Sequence, residues 1–353
     1  MDNQINQELF YDITFSKLEA TLTMWGEPSF RAKQIWQGIY QNLWSKPEHF
    51  STVPKELREK LFSYFVFNSL TPIKSIKSQD METTKTLFNL MDNRSIEAVL
   101  MKYDDRRTLC ISTQAGCAMG CVFCATGQMG FKRHLSSGEI IEQVLYYARE
   151  LNSTNEKVTN IVLMGMGEPF HNYDATKAAI ERLNDPTGFG LGARRFTIST
   201  VGLVPMIKKF ADENSQVNLA ISLHAATNEE RSELLPINKK YSIEQLIDVC
   251  RYYVEKTHRR ITFEWALIAG ENDSEATAKQ LANRLKGLLC HVNVIPLNPT
   301  DQSEFRPSSL NQTRLFQQTL EKNGIPCTIR LRRGIDIQAG CGQLAIKEIN
   351  PPV

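Results

Sequence analysis

The sequence predicts an α/β fold built on parallel strands, and three observations carry that expectation. From residue 108 onward, short apolar runs alternate with segments of helical period in six successive strand–helix units. That alternation calls for crossover helices between parallel strands. Several of the helices open on a serine with a carboxylate or amide three residues on: Ser136 with Glu139, Ser242 with Gln245, Ser309 with Gln312, the pattern of a capping box. The chemically unusual residues fall at the ends of the apolar runs, where α/β folds place their sites. Periodicity alone leaves a barrel and an open doubly wound sheet both standing.

Residues 1–70 read as a small helical accessory domain. Arg31–Trp44 carries Ile35, Trp36, Ile39, Tyr40 and Leu43 at helical spacing. Pro54 suits the first turn of a helix whose apolar face is Leu57, Leu61, Phe62 and Phe65. Seven Lys and Arg stand against eight Asp and Glu there, so the stretch is not a basic arm. Its aromatic residues read as core. Residues 71–107 read as a short β-rich connecting segment with runs at Thr86–Leu90 and Ile96–Met101. Glu97, inside the second run, reads as a carboxylate on the outer face of an edge strand. Residues 108–353 form the main domain. Strands are expected over Thr108–Thr113, Val158–Met164, Phe196–Thr200, Val217–Leu223, Ile261–Ile268 and His291–Ile295, with a last run at Cys327–Leu331. Between them lie helices with Ile140, Ile141, Val144 and Leu145 on one face, then Asp174–Leu183, Val204–Ala211, Glu275–Leu288, and one closed by Gly324.

Composition narrows the class. The 353 residues are 42% hydrophobic and 23% charged with a net charge of +2, ordinary for a globular protein. No overall field gathers nucleic acid, although a local basic patch stays open. No apolar run nears the ~18 residues that span a bilayer, and the opening Met1-Asp2-Asn3-Gln4 lacks a signal pattern. The expectation is a cytoplasmic protein that does not enter a membrane. Eight cysteines in that compartment serve as ligands or redox groups rather than structural bridges.

Cys117, Cys121 and Cys124 lie within eight residues, so one short loop can turn all three sulfurs to one point. Structural zinc and most electron-transfer clusters take four protein ligands. Three thiolates leave one metal position open to a substrate or cofactor. The competing readings are a zinc site completed by His134 or a distant cysteine, and buried inert cysteines. The other unusual residues gather at the same rim. Gly165-Met-Gly-Glu-Pro169 follows the second strand, Ser199 and Thr200 end the third, Ser222-Leu-His224 ends the fourth, and Asn298 follows the sixth. Arg332-Arg-Gly334 and Gly340-Cys341-Gly342 follow the last run. Glu168, between glycines and proline, suits a ligand's ammonium. His224 also reads as a hydrogen-bonded structural histidine, and Cys110, Cys250 and Cys290 as core. His171, His258 and His291 have no assigned partners. Arg330, Arg332 and Arg333 form one basic group near Cys341, and Arg194 and Arg195 begin the third strand.

The spacing Cys-x3-Cys-x2-Cys resembles the signature of the radical S-adenosylmethionine (radical SAM) enzymes. In combination, Asp104-Asp-Arg-Arg-Thr-Leu-Cys110, Gln114-Ala-Gly-Cys117-Ala-Met-Gly-Cys121-Val-Phe-Cys124-Ala-Thr-Gly127, Met164-Gly-Met-Gly-Glu-Pro169, Ser222-Leu-His-Ala225, Leu235-Pro-Ile-Asn238 and Ala339-Gly-Cys-Gly-Gln-Leu344 closely resemble the RlmN-type RNA adenine-C2 methyltransferases. Their sibling family, Cfr, methylates adenine at C8. The resemblance implies a partial (β/α)6 TIM barrel of the radical SAM type. It also implies one 4Fe–4S cluster on Cys117, Cys121 and Cys124, with SAM on the open iron. Gly167, Glu168, Ser199, Ser222, Leu223, His224 and Asn298 match its SAM-binding positions. Cys341 matches the cysteine that carries a methyl group, Cys110 the cysteine that resolves a protein–RNA adduct, and Glu97 a proton acceptor. The last two rest on resemblance alone.

The implied chemistry uses SAM twice per turnover. Carbon C2 of adenine is no useful nucleophile, so the Cys341 thiolate first takes the sulfonium methyl. A second SAM, split by one electron, yields the radical that activates that methyl for addition to C2. Attack by Cys110 then frees the RNA and leaves a Cys110–Cys341 disulfide for reduction. The implied partners are 23S rRNA, with a tRNA anticodon-loop adenine as an open second substrate, an electron donor of the flavodoxin or ferredoxin type, and a thiol reductant. The protein is expected to be a monomer. Alternatives are C8 methylation, a non-catalytic zinc-containing RNA-binding protein, and a methylthiotransferase, which needs a second cysteine triad that the sequence lacks. The arginines near Cys341 are expected to meet phosphates.

Overall fold

The computed structural model describes residues 7–300, 304–330 and 332–345. The Met1–Gln4 reading and Leu331 of the last apolar run lie outside these residues. Strand β1 (Glu8–Leu9) leads into α1 (Phe15–Met24), capped by the Thr14 side chain accepting from Lys17 N, then α2 (Phe30–Tyr40) and α3 (Lys55–Tyr64). Strand β2 (Phe65–Val66) pairs in parallel with β1. Phe10, Trp36, Tyr40, Phe50, Leu61 and Phe65 are buried together, so most aromatic residues of this region are core, while Phe30 and Tyr64 are exposed. Trp36 Nε1 donates to Asp185 across 3.1 Å and the Arg182 guanidinium lies over its ring, which docks these helices onto the rest of the chain.

Strands β3 (Leu70–Lys77), β4 (Thr83–Leu90), β5 (Ser95–Lys102) and β6 (Arg107–Cys110) follow in antiparallel succession. The first parallel strand thus stops at Cys110, short of the expected Thr113. The chain leaves the sheet there to form a hairpin of β7 (Gln114–Gly116) and, beyond the cysteine loop and the short α4 (Ala125–Gln128), β8 (Phe131–His134). Then come α5 (Ser137–Asn152), β9 (Asn160–Leu163), α6 (Tyr173–Asn184), β10 (Phe196–Thr200), α7 (Val204–Asp212) and β11 (Asn218–Ser222). A short α8 (Asn228–Leu234) precedes α9 (Ile243–Thr257), β12 (Ile261–Leu267), α10 (Glu275–Leu285), β13 (Cys290–Pro296), α11 (Leu310–Lys322) and β14 (Cys327–Ile329). The capping boxes read at Ser136 and Ser242 are both formed.

All these strands except the hairpin and the β1–β2 pair belong to one sheet, ordered β14-β13-β12-β11-β10-β9-β6-β5-β4-β3. From β6 to β14 every pair is parallel. Its edges are β3 and β14, so it does not close. Thr108 of β6 and Thr328 of β14 nevertheless line one chamber, so the sheet curls into an incomplete barrel. Outward residues such as Ile161, Ile198, Leu219, Ile221, Phe263, Trp265 and Val292 are buried under the helices. Closed barrels fill their interior with branched apolar side chains; here the inward positions carry Thr108, Asn160, Thr197, Asn218, Thr262, Asn293 and Thr328.

The C-terminal segment lies across the gap between β14 and the antiparallel strands. Gln79 N donates to Asp336 Oδ2 across 2.8 Å and Lys85 Nζ to the Gln338 carbonyl across 3.1 Å. On its far side Ala125 N donates to the Gly342 carbonyl across 2.8 Å, and Thr126 Oγ1 to the Leu344 carbonyl across 2.6 Å. Among the described residues no helix is long and apolar enough to cross a membrane.

Candidate active site

Each parallel strand delivers its polar residues to one end. Cys117, Cys121, Cys124, Gly167, Glu168, Ser199, Ser222, His224, Asn298 and Cys341 all line one cavity at the carboxyl ends of the strands. The hairpin that fixes the cysteine loop needs Gly116 and Gly130: Cys117 N donates to the Gly130 carbonyl across 3.1 Å, and Gly116 has φ +74°. Glycines serve such close left-handed turns. Gly167 is required too. Its φ is +105°, and a Cβ there would stand 2.6 Å from Gln114 Cβ. Gln114 in turn accepts from Glu168 N across 2.8 Å and fixes the glycine loop against the hairpin.

Burial pushes the three cysteine thiols up, Cys117 to about 12; triad neighbours raise Cys117 and Cys121 further, and Cys341 raises Cys124. A metal that replaces the proton is what holds such sulfurs as thiolates. Among the described residues no three His, Cys, Asp or Glu side chains converge tightly enough to grip a single ion. The three sulfurs line one cavity, as ligands of separate irons in a cluster would.

Glu168 is buried, and desolvation lifts its carboxyl to about 7 against the hydrogen bonds from Val201 N and Phe170 N, both 2.9 Å. An ammonium brought into the cavity would offset that cost. Asn298 donates through Nδ2 to the Cys341 carbonyl at 3.1 Å, while its Oδ1 is buried without a partner among the described residues. An orphaned acceptor is costly, so Asn298 fits a ligand that brings a donor. His224 sits in the left-handed region with φ +58°. Its Nδ1 accepts from Ala266 N across 2.8 Å, Phe123 packs edge-on at 4.9 Å, and burial lowers its pKa to about 3. It is a neutral, hydrogen-bonded ring at the cavity wall. Leu223 is fully buried in the core and does not line the cavity; its carbonyl accepts from Arg231 Nε.

Cys110 and Cys341 line a second, adjoining cavity with Met101, Tyr103, Arg330 and Arg333. Burial first, then Cys341, pushes the Cys110 thiol up to about 12, and Arg330 opposes. Arg330 is half-buried and shifted upward chiefly by Cys341, with burial opposing and Glu264 adding to it. The disulfide implied for the Cys110–Cys341 pair is not formed: all eight cysteines are free. Glu97 departs from the edge-strand reading. Strand β5 lies inside the sheet between β4 and β6, and Glu97 is buried with Oε1 3.2 Å from Lys85 Nζ. Glu97 lines neither cavity. His171 also has partners: its ring lies 4.9 Å from His134, and both face Gln114 Nε2.

The sequence reading gave no role to Lys85, Gln114 or Arg231. Arg231 is fully buried and donates to the carbonyls of Val201, Ser222 and Leu223 and to Asn238 Oδ1, tying the ends of β10 and β11 together. Nothing in the local pattern of a short polar helix singles it out.

An incomplete parallel barrel with three cysteines at the carboxyl rim is the arrangement of a radical SAM enzyme. Residues 111–281 match the radical SAM superfamily, and residues 9–66 match the ribosomal RNA large subunit methyltransferase N-terminal domain. The chain is 46% identical over 340 residues to the probable dual-specificity RNA methyltransferase RlmN of Geobacillus kaustophilus, covering 96% of this chain and 92% of that one. It is 47% identical over 334 residues to dual-specificity RNA methyltransferase RlmN 1 of Myxococcus xanthus, covering 95% and 93%. The crystal structure of a radical SAM methyltransferase from Sphaerobacter thermophilus superposes with a TM-score of 0.94 at 48% identity, covering 96% of this chain and 99% of that one. The chain belongs to the RlmN family of radical SAM RNA methyltransferases.

Proposed function

We propose that this enzyme methylates C2 of an adenine in 23S rRNA and in a tRNA anticodon loop, through a methyl group carried on Cys341. The observation that supports this reading is the place of Cys341. It shares one cavity with Cys117, Cys121 and Cys124 and a second with Cys110. One sulfur therefore faces both the cofactor side and the resolving side.

The residues divide the work. Cys117, Cys121 and Cys124 hold a 4Fe–4S cluster, and Gly167, Glu168, Ser199, Ser222, His224 and Asn298 receive SAM, with Leu223 supplying backbone only. When bound, these groups supply a methyl group and, from a second SAM, a one-electron route to activating it, so two SAM are used per turnover. Glu168 has the buried carboxylate to meet an ammonium, and Asn298 Oδ1 is an acceptor in want of a donor. Arg330, beside Cys341 and Cys110, favours the Cys110 thiolate against the burial that opposes it. Cys341 bears the methyl, and Cys110 frees the RNA from it. The family resemblance alone makes Glu97, which lines neither cavity, the acceptor of the proton that leaves C2. The target base must leave its stack to reach this depth, so the substrate is structured RNA with an exposed adenine.

The remaining partners rest on the family resemblance: an electron donor of the flavodoxin or ferredoxin type, a thiol reductant, and a monomeric, cytoplasmic enzyme. The division into residues 1–70, 71–107 and 108–353 is likewise proposed.

Assaying Cys341→Ala and Cys110→Ala with substrate RNA tests the reading. The first is expected to transfer no methyl, and the second to accumulate a protein–RNA adduct. Turnover by Cys341→Ala sinks it. Mass spectrometry of the digested product locates the methyl, and a C8 product would move the enzyme to the sibling chemistry.

A further inference from the structure

A chamber of about 1070 Å³ opens at the amino ends of the strands, opposite the cysteine rim. Its wall is the row of inward threonines and asparagines described above. Its rim carries Arg106, Arg194, Arg259, Arg260 and His258, and Arg330 lies at its inner end. Among the lining residues Glu264 is the single carboxylate, and it is buried against Asn293 at 2.8 Å. Arg194 and Arg259 are held by amides rather than acids. Arg194 Nη2 and Arg259 Nη1 both donate to Gln216 Oε1, at 3.1 and 2.9 Å, and Arg259 Nη2 donates to Asn218 Oδ1 at 2.8 Å. Two guanidiniums meeting on one neutral oxygen repel each other. That arrangement is relieved by an anion, and bidentate guanidiniums suit phosphate.

The chamber leads to the chemistry. Tyr103, Met164 and Arg330 line both it and the cavity that holds Cys110 and Cys341. Tyr103 carries a guanidinium on its ring from each side of that boundary, Arg106 at 4.9 Å and Arg333 at 4.5 Å.

We propose that the arginine-rimmed chamber at the amino ends of the strands binds the phosphates of the single-stranded RNA that carries the target adenine, with the base entering past Tyr103 and Arg330. The inference rests on the RNA-methylating reading above and adds the route by which RNA enters. The polar walls admit a hydrated sugar–phosphate strand, and the rim supplies positive charge without competing carboxylates. Phosphate contacts position a strand without reading its sequence.

The test compares the full-length protein with an Arg194→Gln/Arg259→Gln/Arg260→Gln variant and with the same three positions changed to Lys. Binding of a fluorescein-labelled RNA hairpin with an exposed loop adenine is followed by anisotropy across a salt series. Single-stranded contacts contribute a slope of about 0.7 per phosphate in log K against log salt. The Gln variant is expected to bind more weakly, with its slope reduced by about 2 for three lost contacts. The Lys variant, which keeps the charge and loses the fork on Gln216, is expected to keep most of the slope. Circular dichroism and iron content report folding. Arg260→Gln alone, which breaks no side-chain pair with Gln216, is expected to lower the slope by about 0.7 and serves if the triple variant unfolds. Equal affinity and slope in wild type and the Gln variants overturn the chamber as an RNA site. Equal loss in the Gln and Lys variants overturns it too, because it marks the arginines as structural. Failure of the wild type to bind or methylate any RNA strikes the underlying functional reading instead.

Discussion

Lys85 of strand β4 and Glu97 of strand β5 meet diagonally across the pair, with Nζ 3.2 Å from Oε1, and the same ammonium donates to the Gln338 carbonyl at 3.1 Å. Gln338 lies three residues before Cys341 in sequence. One buried cation thus holds both the proposed proton acceptor and the segment that carries the methylated sulfur.

Removing that cation is expected to act on both. Lys85→Met takes a counter-charge from a buried carboxylate, a change that costs roughly 3–5 kcal/mol when a buried pair is broken. Glu97 then loses the ammonium that holds its carboxylate in place. Single-turnover methylation should fall by roughly 100-fold or more, the scale of a lost general base, and urea stability should fall with it. In Lys85→Met/Glu97→Gln stability is expected to recover while methylation does not. Recovery of both would remove Glu97 from the reaction.

The junction between the helical region and the barrel is expected to respond to pH. Glu142 on α5 is buried, accepts from Ser69 N at 2.8 Å and from Ser69 Oγ, and burial raises its pKa to about 7. A carboxyl raised in the folded state binds its proton more tightly there than in the unfolded chain. Its contribution is fully present below the unfolded value of 4.5 and is lost as pH rises to about 7. A shift of that size corresponds to roughly 3 kcal/mol. Glu142→Gln keeps an acceptor for Ser69 and does not ionise. Its urea midpoint is expected to stay flat between those pH values where wild type declines, and to exceed wild type near neutral pH. Parallel curves for the two proteins would show that Glu142 does not cause the decline.

The parallel half of the sheet was legible because its strands are buried on the outward face and bounded by caps. The rim was legible because Cys117, Glu168, Ser199, His224 and Asn298 each interrupt an apolar run at its end. Strand β3 was not, because it is an edge with most of its residues exposed and so carries no apolar period. The hairpin around the cysteine loop is held by Gly116 and Gly130, and its strand of Phe131–His134 is largely exposed. Glu97 looked like an edge residue because its partner Lys85 lies on a neighbouring strand, and no local pattern reports a cross-strand ion pair. The open interior was invisible for a related reason. Single Thr and Asn residues on seven strands form a chamber only once the sheet curls.

Gly340 fixes the approach of Cys341. A Cβ at that position would stand 2.5 Å from Asn298 Nδ2 and 2.9 Å from Gln343 Oε1. The glycine is therefore a matter of fit, beside any role in motion. Gly340→Ala is expected to push the Cys341 segment off Asn298 and to lower methyl transfer by roughly 100-fold, the order a displacement of about 1 Å costs at a reacting centre. Iron content after reconstitution should match wild type, because Cys117, Cys121 and Cys124 are untouched. Wild-type transfer by Gly340→Ala would show that Asn298 does not set the position of Cys341.

Arg231 ties the rim to the fold. Its guanidinium satisfies three backbone carbonyls and the Asn238 amide from a fully buried position, and burial lowers its pKa only to about 10, so it stays charged at neutral pH. Each carbonyl left without a donor costs about 1–3 kcal/mol. Arg231→Met is therefore expected to lower stability by roughly 3–5 kcal/mol, a large part of the 5–15 kcal/mol that holds a typical domain. Arg231→Lys keeps the charge but reaches fewer of the four acceptors, and should fall between the two. Val201 and Ser222 also line the proposed SAM cavity, so SAM affinity, measured by calorimetry at a temperature where the Lys variant is fully folded, is expected to drop as well. Lost stability with unchanged SAM affinity would make Arg231 a residue of the core alone; loss of both makes it the link through which the strand ends hold the cofactor.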